Sequence, residues 1–213
     1  MTVSALFKIR FIQLTKPLVL SVEELKFLYL TWDDIQRLAE KTADMIRRDG
    51  FDPDLMIAVS RGGFDPARII SDQLSIRKLA SLQIFYYSGV NDKRDKPEVL
   101  FPLNAQIEGL KVLVVDDVSD SGHSLIAVKE YIKNNGAAEV KIATLHYKPW
   151  SQYKPDYYAE EVDKWILYPW EPNESIQDLN IMLLEKGFSK EEIKEKLREI
   201  GYTDHEINRY LKV

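Results

Sequence analysis

The chain alternates between short, continuously apolar runs and longer stretches in which apolar positions recur every three or four residues. The first helical stretch opens at Thr31, which with Asp34 resembles a capping box, and continues through Ile35, Leu38, Ala39, Ala43 and Ile46 to Gly50. That spacing predicts a helix over roughly residues 32–49. Five runs with strand composition follow: "LMIAVS" (55–60), "LQIFYY" (82–87), "VLVVD" (112–116), "VKIATL" (140–145) and "WILY" (165–168). Helix candidates near 65–76 and 122–135 alternate with them. Strands that are apolar on both faces and separated by helices predict an α/β fold, a doubly wound and mostly parallel sheet joined by right-handed crossovers. In such a sheet ligands bind beyond the carboxyl ends of the strands, which puts residues 60–63, 116–124 and Lys148 on one rim.

The two ends of the chain are patterned differently. In "MTVSALFKIRFIQLTKPLVLSV" the charges of Lys8, Arg10 and Lys16 interrupt every apolar stretch, so neither a secretory core nor a spanning helix of about 20 residues fits. Residues 1–25 are expected to form an N-terminal extension, 26–172 the main domain and 173–213 a small helical extension. Within that last segment "GFSKEEIKEKL" (187–197) is echoed by "GYTDHEINRYL" (201–211). Each copy carries a glycine, an aromatic, a Ser or Thr cap and an isoleucine, which predicts two short helices built on one sequence logic.

Composition narrows the class. With 213 residues, 45% hydrophobic and 30% charged, the chain is long enough for one sizeable core and a small appendage. A net charge of -5 opposes generic nucleic-acid binding, which needs a basic face. The absence of cysteine excludes a disulfide framework, a thiolate zinc site and a cysteine nucleophile. A cytoplasmic protein with neither a membrane nor a nucleic-acid partner is expected.

The chemistry concentrates in "VLVVDDVSDSGHSL" (112–125), where an apolar strand ends in carboxylates and a small polar turn. Asp116 and Asp117 are adjacent on a strand and therefore point to opposite sides, so one can meet a ligand and the other a metal or an inner loop. Vicinal sugar hydroxyls are good donors to such acids. In the loop that follows, Ser119, Asp120, Ser121, Gly122, His123 and Ser124 combine a glycine for close backbone approach with hydroxyls at a helix start, an arrangement suited to a terminal phosphate.

This stretch resembles the phosphoribosyl-pyrophosphate signature of the type I phosphoribosyltransferases: an apolar strand, two acids, then an acid-Ser/Thr-Gly-x-Ser/Thr loop. The resemblance spans roughly residues 30–172. It implies the family's Rossmann-like sheet with a small hood. "AVSRGG" (58–63) resembles the family's pyrophosphate loop, in which Ser60, Arg61, Gly62 and Gly63 cradle the leaving group and the peptide bond before the arginine is often cis. "HYKPW" (146–150) and "KWILYPWE" (164–171) resemble the 6-oxopurine members, closest to the xanthine-guanine type.

By that resemblance Lys148 donates to the exocyclic oxygen of a purine, Trp165 stacks on its ring and the Ile166 backbone meets its far edge. Asp116, Asp117 and Glu171 serve a Mg²⁺ ion, and Asp120 accepts a proton from the base. Glu171 stands where relatives often have Asp. "YYSGVNDKRDKPEV" (86–99) resembles the family's mobile lid.

The reading implied is a purine salvage transferase using phosphoribosyl pyrophosphate and a purine base, and a homodimer or homotetramer with Trp150, Tyr157 and Tyr158 as candidate interface aromatics. Two alternatives stand beside it: a non-catalytic sensor of phosphoribosyl pyrophosphate acting through the helical tail, and a transferase for adenine or a pyrimidine.

Overall fold

The structure, a computed structural model, describes residues 18–22, 25–85 and 98–212. Their contacts divide the chain into two compact units, one of residues 32–163 and one of residues 1–31 with 164–213.

The larger unit starts with α1 (Trp32–Asp49), where the sequence pattern placed it. Ile35, Leu38, Ala39, Ala43 and Ile46 line its buried stripe, with acids in the first turn and arginines in the last, as the helix dipole favours. Next come β3 (Leu55–Ser60), α2 (Phe64–Gln73), β4 (Leu79–Phe85) and β5 (Glu98–Phe101). The unit continues with β6 (Lys111–Ser119), α3 (His123–Asn134), β7 (Glu139–Tyr147) and β8 (Tyr157–Glu161). Six strands form one sheet in the order β5-β4-β3-β6-β7-β8. Pairings from β4 to β8 are parallel, and β5 runs antiparallel at the edge. Ile57, Val59, Val112, Val114 and Ile142 join Leu125, Val128 and Ile132 of α3 in one core. The strand order reverses between β3 and β6, and at such a switch point the loops leaving both strands open a crevice.

Strand β8 escaped the sequence pattern because its residues alternate between buried and partly exposed instead of forming an apolar run. It also revises one expectation. Tyr157 is not an exposed interface residue: its ring is buried and its hydroxyl donates to Asp49 Oδ2 at 2.6 Å. Tyr158 is half-buried, its ring centroid 5.1 Å from that of Tyr147.

The smaller unit holds β1 (Leu18–Val22), β2 (Leu25–Tyr29) and β9 (Trp165–Leu167), then α4 (Pro172–Glu185), α5 (Lys190–Ile200) and α6 (Asp204–Tyr210). The "WILY" run, expected among the strands of the main sheet, pairs instead with β2, as the third strand of a separate small sheet. Phe27 and Leu167 from this sheet pack with Ile176, Leu179, Leu183, Ile193, Leu197, Ile200 and Ile207, so the helical tail shares a core with the strands before it. The repeated tail motif is realised as two capping boxes: Ser189 with Glu192, and Thr203 with Glu206. No helix among the described residues is long and apolar enough to cross a membrane.

Candidate active site

The sites named from the sequence fall into two groups. Ser60–Gly63, Asp116–Ser124 and Lys148 belong to the large unit; Trp165, Ile166 and Glu171 belong to the small one.

In the large unit, β3 ends at Ser60 and the Ser60–Arg61 peptide bond is cis, as the resemblance implied. The chain then turns directly into α2, with Gly63 at its N-cap. The glycines answer to packing. A Cβ on Gly63 would meet the backbone oxygens of Val115 and Val59 at 2.3 and 2.7 Å, and one on Gly62 would meet the Asp117 carboxylate. The loop after β3 is thus pressed against the end of β6, where the acids sit.

Asp116 and Asp117 keep part of their side chains in contact with solvent but are crowded by protein. Their carboxylates fold back onto the chain: the Asp117 amide donates to Asp116 Oδ1 at 3.0 Å and the Val118 amide to Asp117 Oδ1 at 2.7 Å. Burial pushes Asp116 well above the usual carboxylate range, and the neighbouring charge of Asp117 adds to the effect. Burial raises Asp117 to about 6 against the opposing pull of the Val118 hydrogen bond. Two crowded carboxylates with raised proton affinity are short of positive charge, which a hydroxyl donor or a cation supplies.

Past β6 the loop tightens into α3. Gly122 is its N-cap at φ 85°, a left-handed conformation that a side chain would strain, and a Cβ there would lie 2.5 Å from the Tyr153 amide. The N-cap glycine has no side chain to cap the helix, and the His123 amide donates to Ser121 Oγ at a long 3.4 Å; the helix N-terminus lies at the rim, where Ser121 is exposed and His123 and Ser124 are partly exposed. Ser119 departs from its expected role as a ligand contact. Its side chain is buried and its hydroxyl is held by the Tyr153 carbonyl at 2.7 Å and Ser151 Oγ at 2.9 Å, so it fixes the loop from beneath.

Lys148 follows β7 and is only 5% exposed. Burial pulls its ammonium pKa down, and the charges of Asp120 and Asp163 counter that pull. Its backbone amide donates to the Ser119 carbonyl at 3.0 Å, and the Gln152 amide to the Ser121 carbonyl at 3.0 Å, so the turn after β7 and the loop after β6 are laced together. Trp150, in that turn, donates from Nε1 to Asp120 Oδ1 at 3.0 Å, a contact with no sequence signal. His146, two residues earlier in β7, is buried and held neutral, its pKa lowered to about 3 by burial and then by Lys148.

Residues 28–176 match the model of the phosphoribosyl transferase domain. The chain belongs to the phosphoribosyl transferase family. It is 32% identical over 158 residues to a xanthine-guanine phosphoribosyltransferase of Ruegeria sp. (strain TM1040), covering 68% of this chain and 86% of that protein. A xanthine-guanine phosphoribosyltransferase of Gluconobacter oxydans is 31% identical over 144 residues, covering 67% of this chain and 83% of its own. Among solved structures, a purine phosphoribosyltransferase from Pyrococcus horikoshii matches with 39% identity and a TM-score of 0.61, over 68% of this chain and 94% of its own. A Neisseria gonorrhoeae protein solved with bound ppGpp matches with 32% identity and a TM-score of 0.59, over 68% of this chain and 89% of its own.

In this phosphoribosyl transferase family member the remaining candidates lie on the small unit. Trp165, at the start of β9, is 38% exposed, with its ring centroid 5.9 Å from that of Phe27. Ile166 is buried and in register with Leu28 of β2. Glu171 is the N-cap residue of α4 but its side chain does not cap it. The lid expected over 86–99 lies for the most part outside the described residues.

Among the described residues no three acids or histidines converge as a metal cage. The donor set nevertheless fits magnesium, which takes one or two carboxylates together with substrate phosphates and keeps several waters. Asp116 and Asp117 are two hard oxygen donors of the kind such an ion would take.

Proposed function

We propose that the protein transfers the 5-phosphoribosyl group of phosphoribosyl pyrophosphate to a 6-oxopurine, giving a nucleoside 5'-monophosphate and pyrophosphate. The observation that carries this reading is the lacing of the Lys148 turn to the Asp120 loop, beside the N-terminus of α3. This supports the reading because a carboxylate, a buried ammonium and a helix N-terminus then share one rim.

In this reaction a purine nitrogen forms a bond to the anomeric carbon as the bond from that carbon to the pyrophosphate oxygen breaks, and the electron pair leaves with pyrophosphate. Positive charge develops on the ribose, where Asp116 and Asp117 hold the sugar hydroxyls. Ser121, Gly122, His123 and Ser124 hold the 5'-phosphate at the N-terminus of α3. Ser60, Arg61, Gly62 and Gly63 receive the pyrophosphate, for which a guanidinium fork is suited. Asp120 accepts the proton that the base's imidazole ring gives up. Asp116 and Asp117 would hold a magnesium ion, which would supply neutralising charge to the pyrophosphate, and a metal role for Glu171 rests on the resemblance alone.

Lys148 sets the base class. An ammonium donates to the carbonyl oxygen of hypoxanthine, guanine or xanthine and has nothing to accept from the amino group of adenine. For Trp165 and Ile166, stacking on the base and meeting its edge rest on the resemblance alone. Assembly into a homodimer or homotetramer rests on the resemblance alone.

The test is pyrophosphate release from phosphoribosyl pyrophosphate and Mg²⁺ with hypoxanthine, guanine, xanthine, adenine, uracil or orotate, and Asp120→Ala as control. Turnover confined to the 6-oxopurines and lost in the control is expected. Binding of phosphoribosyl pyrophosphate without turnover of any base would replace this reading with that of a sensor.

A further inference from the structure

Trp150 closes the "HYKPW" segment without a role of its own in the transfer reaction described above, yet its indole touches both groups assigned to the base. Nε1 donates to Asp120 Oδ1 at 3.0 Å, and the Lys148 ammonium lies over the ring face 5.2 Å from its centroid. At 56% exposure the ring is not placed there by burial in a core. A large side chain on an open surface is ordered here by two polar contacts, which must offset its lost rotamer freedom.

The turn that carries it is firmly rooted. The Ser151 amide donates to the Lys148 carbonyl at 2.9 Å, closing the turn around Pro149 and Trp150. Ser151 Oγ then meets Ser119 Oγ at 2.9 Å, below the loop that bears Asp120. The indole therefore spans two loops whose backbones are already fixed to each other.

We propose that Trp150 is a positioning residue for the transfer step. Its N–H pins one oxygen of Asp120, turning the other toward the proton of the base, and its ring face steadies the Lys148 ammonium for the base's carbonyl. The proposal deepens the function proposed above and rests on its assignments of Asp120 and Lys148. A carboxylate has acceptor sites on both oxygens, so the bond to Oδ1 leaves Oδ2 available. Tryptophan suits the position because it joins an N–H donor to the aromatic face best able to hold a cation. Geometry matters because proton transfer to a fixed carboxylate loses efficiency steeply when the acceptor swings away.

Three substitutions separate the two contacts: Trp150→Phe keeps a ring and deletes the N–H, Trp150→His keeps a ring N–H, and Trp150→Leu deletes both. The readouts, on the full chain, are single-turnover nucleotide formation, KM for phosphoribosyl pyrophosphate, KM for hypoxanthine, and melting temperature. For Trp150→Phe the single-turnover rate is expected to fall on the order of tenfold, the usual effect of losing a hydrogen bond to a charged group, with KM for phosphoribosyl pyrophosphate and melting temperature unchanged. Trp150→His should recover part of that loss, and Trp150→Leu should in addition raise KM for hypoxanthine.

A wild-type rate in Trp150→Phe overturns the proposal. So does a loss that comes with a lower melting temperature or a matching rise in KM for phosphoribosyl pyrophosphate, since that is the pattern of a structural role. Asp120→Asn is measured alongside. If it turns over hypoxanthine at the wild-type rate, the assignment of Asp120 itself fails; if it is inactive while Trp150→Phe is not, only the role of Trp150 fails.

Discussion

The α-carbon of Gly62 faces the carboxylate of Asp117 so closely that a Cβ placed on it would lie 2.3 Å from Oδ2 and 2.5 Å from Cγ. The loop after β3 and the acid pair at the end of β6 are therefore one packed assembly. Gly62→Ala must displace either the carboxylate, already fixed to the Val118 amide, or the loop that holds Arg61. We expect KM for phosphoribosyl pyrophosphate to rise at least about tenfold, the scale of one lost hydrogen bond to a charged group. Steady-state kinetics together with a melting curve check this, and an unchanged KM would show that the contact relaxes freely.

Asp117 carries a second prediction. Its folded-state pKa is raised from 3.8 to about 6, so the folded protein holds this proton more tightly than the unfolded chain does. The ionised carboxylate therefore opposes folding at pH 7. That opposition fades as pH falls through about 6, and it is gone below the ordinary carboxylate pKa. In EDTA, Asp117→Asn should raise the melting temperature at pH 7, by about 2–4 °C for each kcal/mol relieved, and have a smaller effect at pH 5. The same substitution should sharply reduce turnover, because an amide is a poorer partner for sugar hydroxyls and for a cation. In the unsubstituted protein kcat/KM for phosphoribosyl pyrophosphate should decline as pH drops below about 6.

Lys148 tests the choice of base. Its side chain is buried and its ammonium form is disfavoured by that burial, so it gains most from a strong acceptor. Lys148→Ala should lower kcat/KM for hypoxanthine and guanine roughly ten- to a hundredfold and so narrow the preference for 6-oxopurines over adenine. Equal losses on all bases would mean that Lys148 supports the loop and does not read the purine.

The tail offers a stability prediction apart from chemistry. Ser189 accepts from the Glu192 amide and Thr203 from the Glu206 amide, each reciprocated by the glutamate. Ser189→Ala and Thr203→Ala should each destabilise the small unit by about 1 kcal/mol. Denaturant melts of the single variants measure it, and no change in either would mean that solvent serves these helix ends equally well.

The local content of the chain was legible because local physics decides it. The buried stripe of α1 follows from apolar spacing, the two capped tail helices from Ser189 and Thr203, and the acid pair with its glycine turn from a motif whose chemistry is short-range. The edge strand β8 was not legible, since Tyr157 to Glu161 lack a continuous apolar run and are strand only because β7 supplies their hydrogen-bond partners. For the same reason "WILY" could be read as a strand but not assigned to a sheet.

In the site the division is similar. The sequence by itself determined which residues carry charge and hydroxyls on the rim: Arg61, Asp116, Asp117, Asp120, Ser121, Ser124 and Lys148. Only the tertiary structure decided what those groups face: that Ser119 turns inward to Tyr153, that Asp117 lies against Gly62, and that Trp150 reaches Asp120. Such contacts join loops far apart in the chain, and their partners are chosen by the packing of β3, β6 and β7 into one sheet, which no local pattern of residues records.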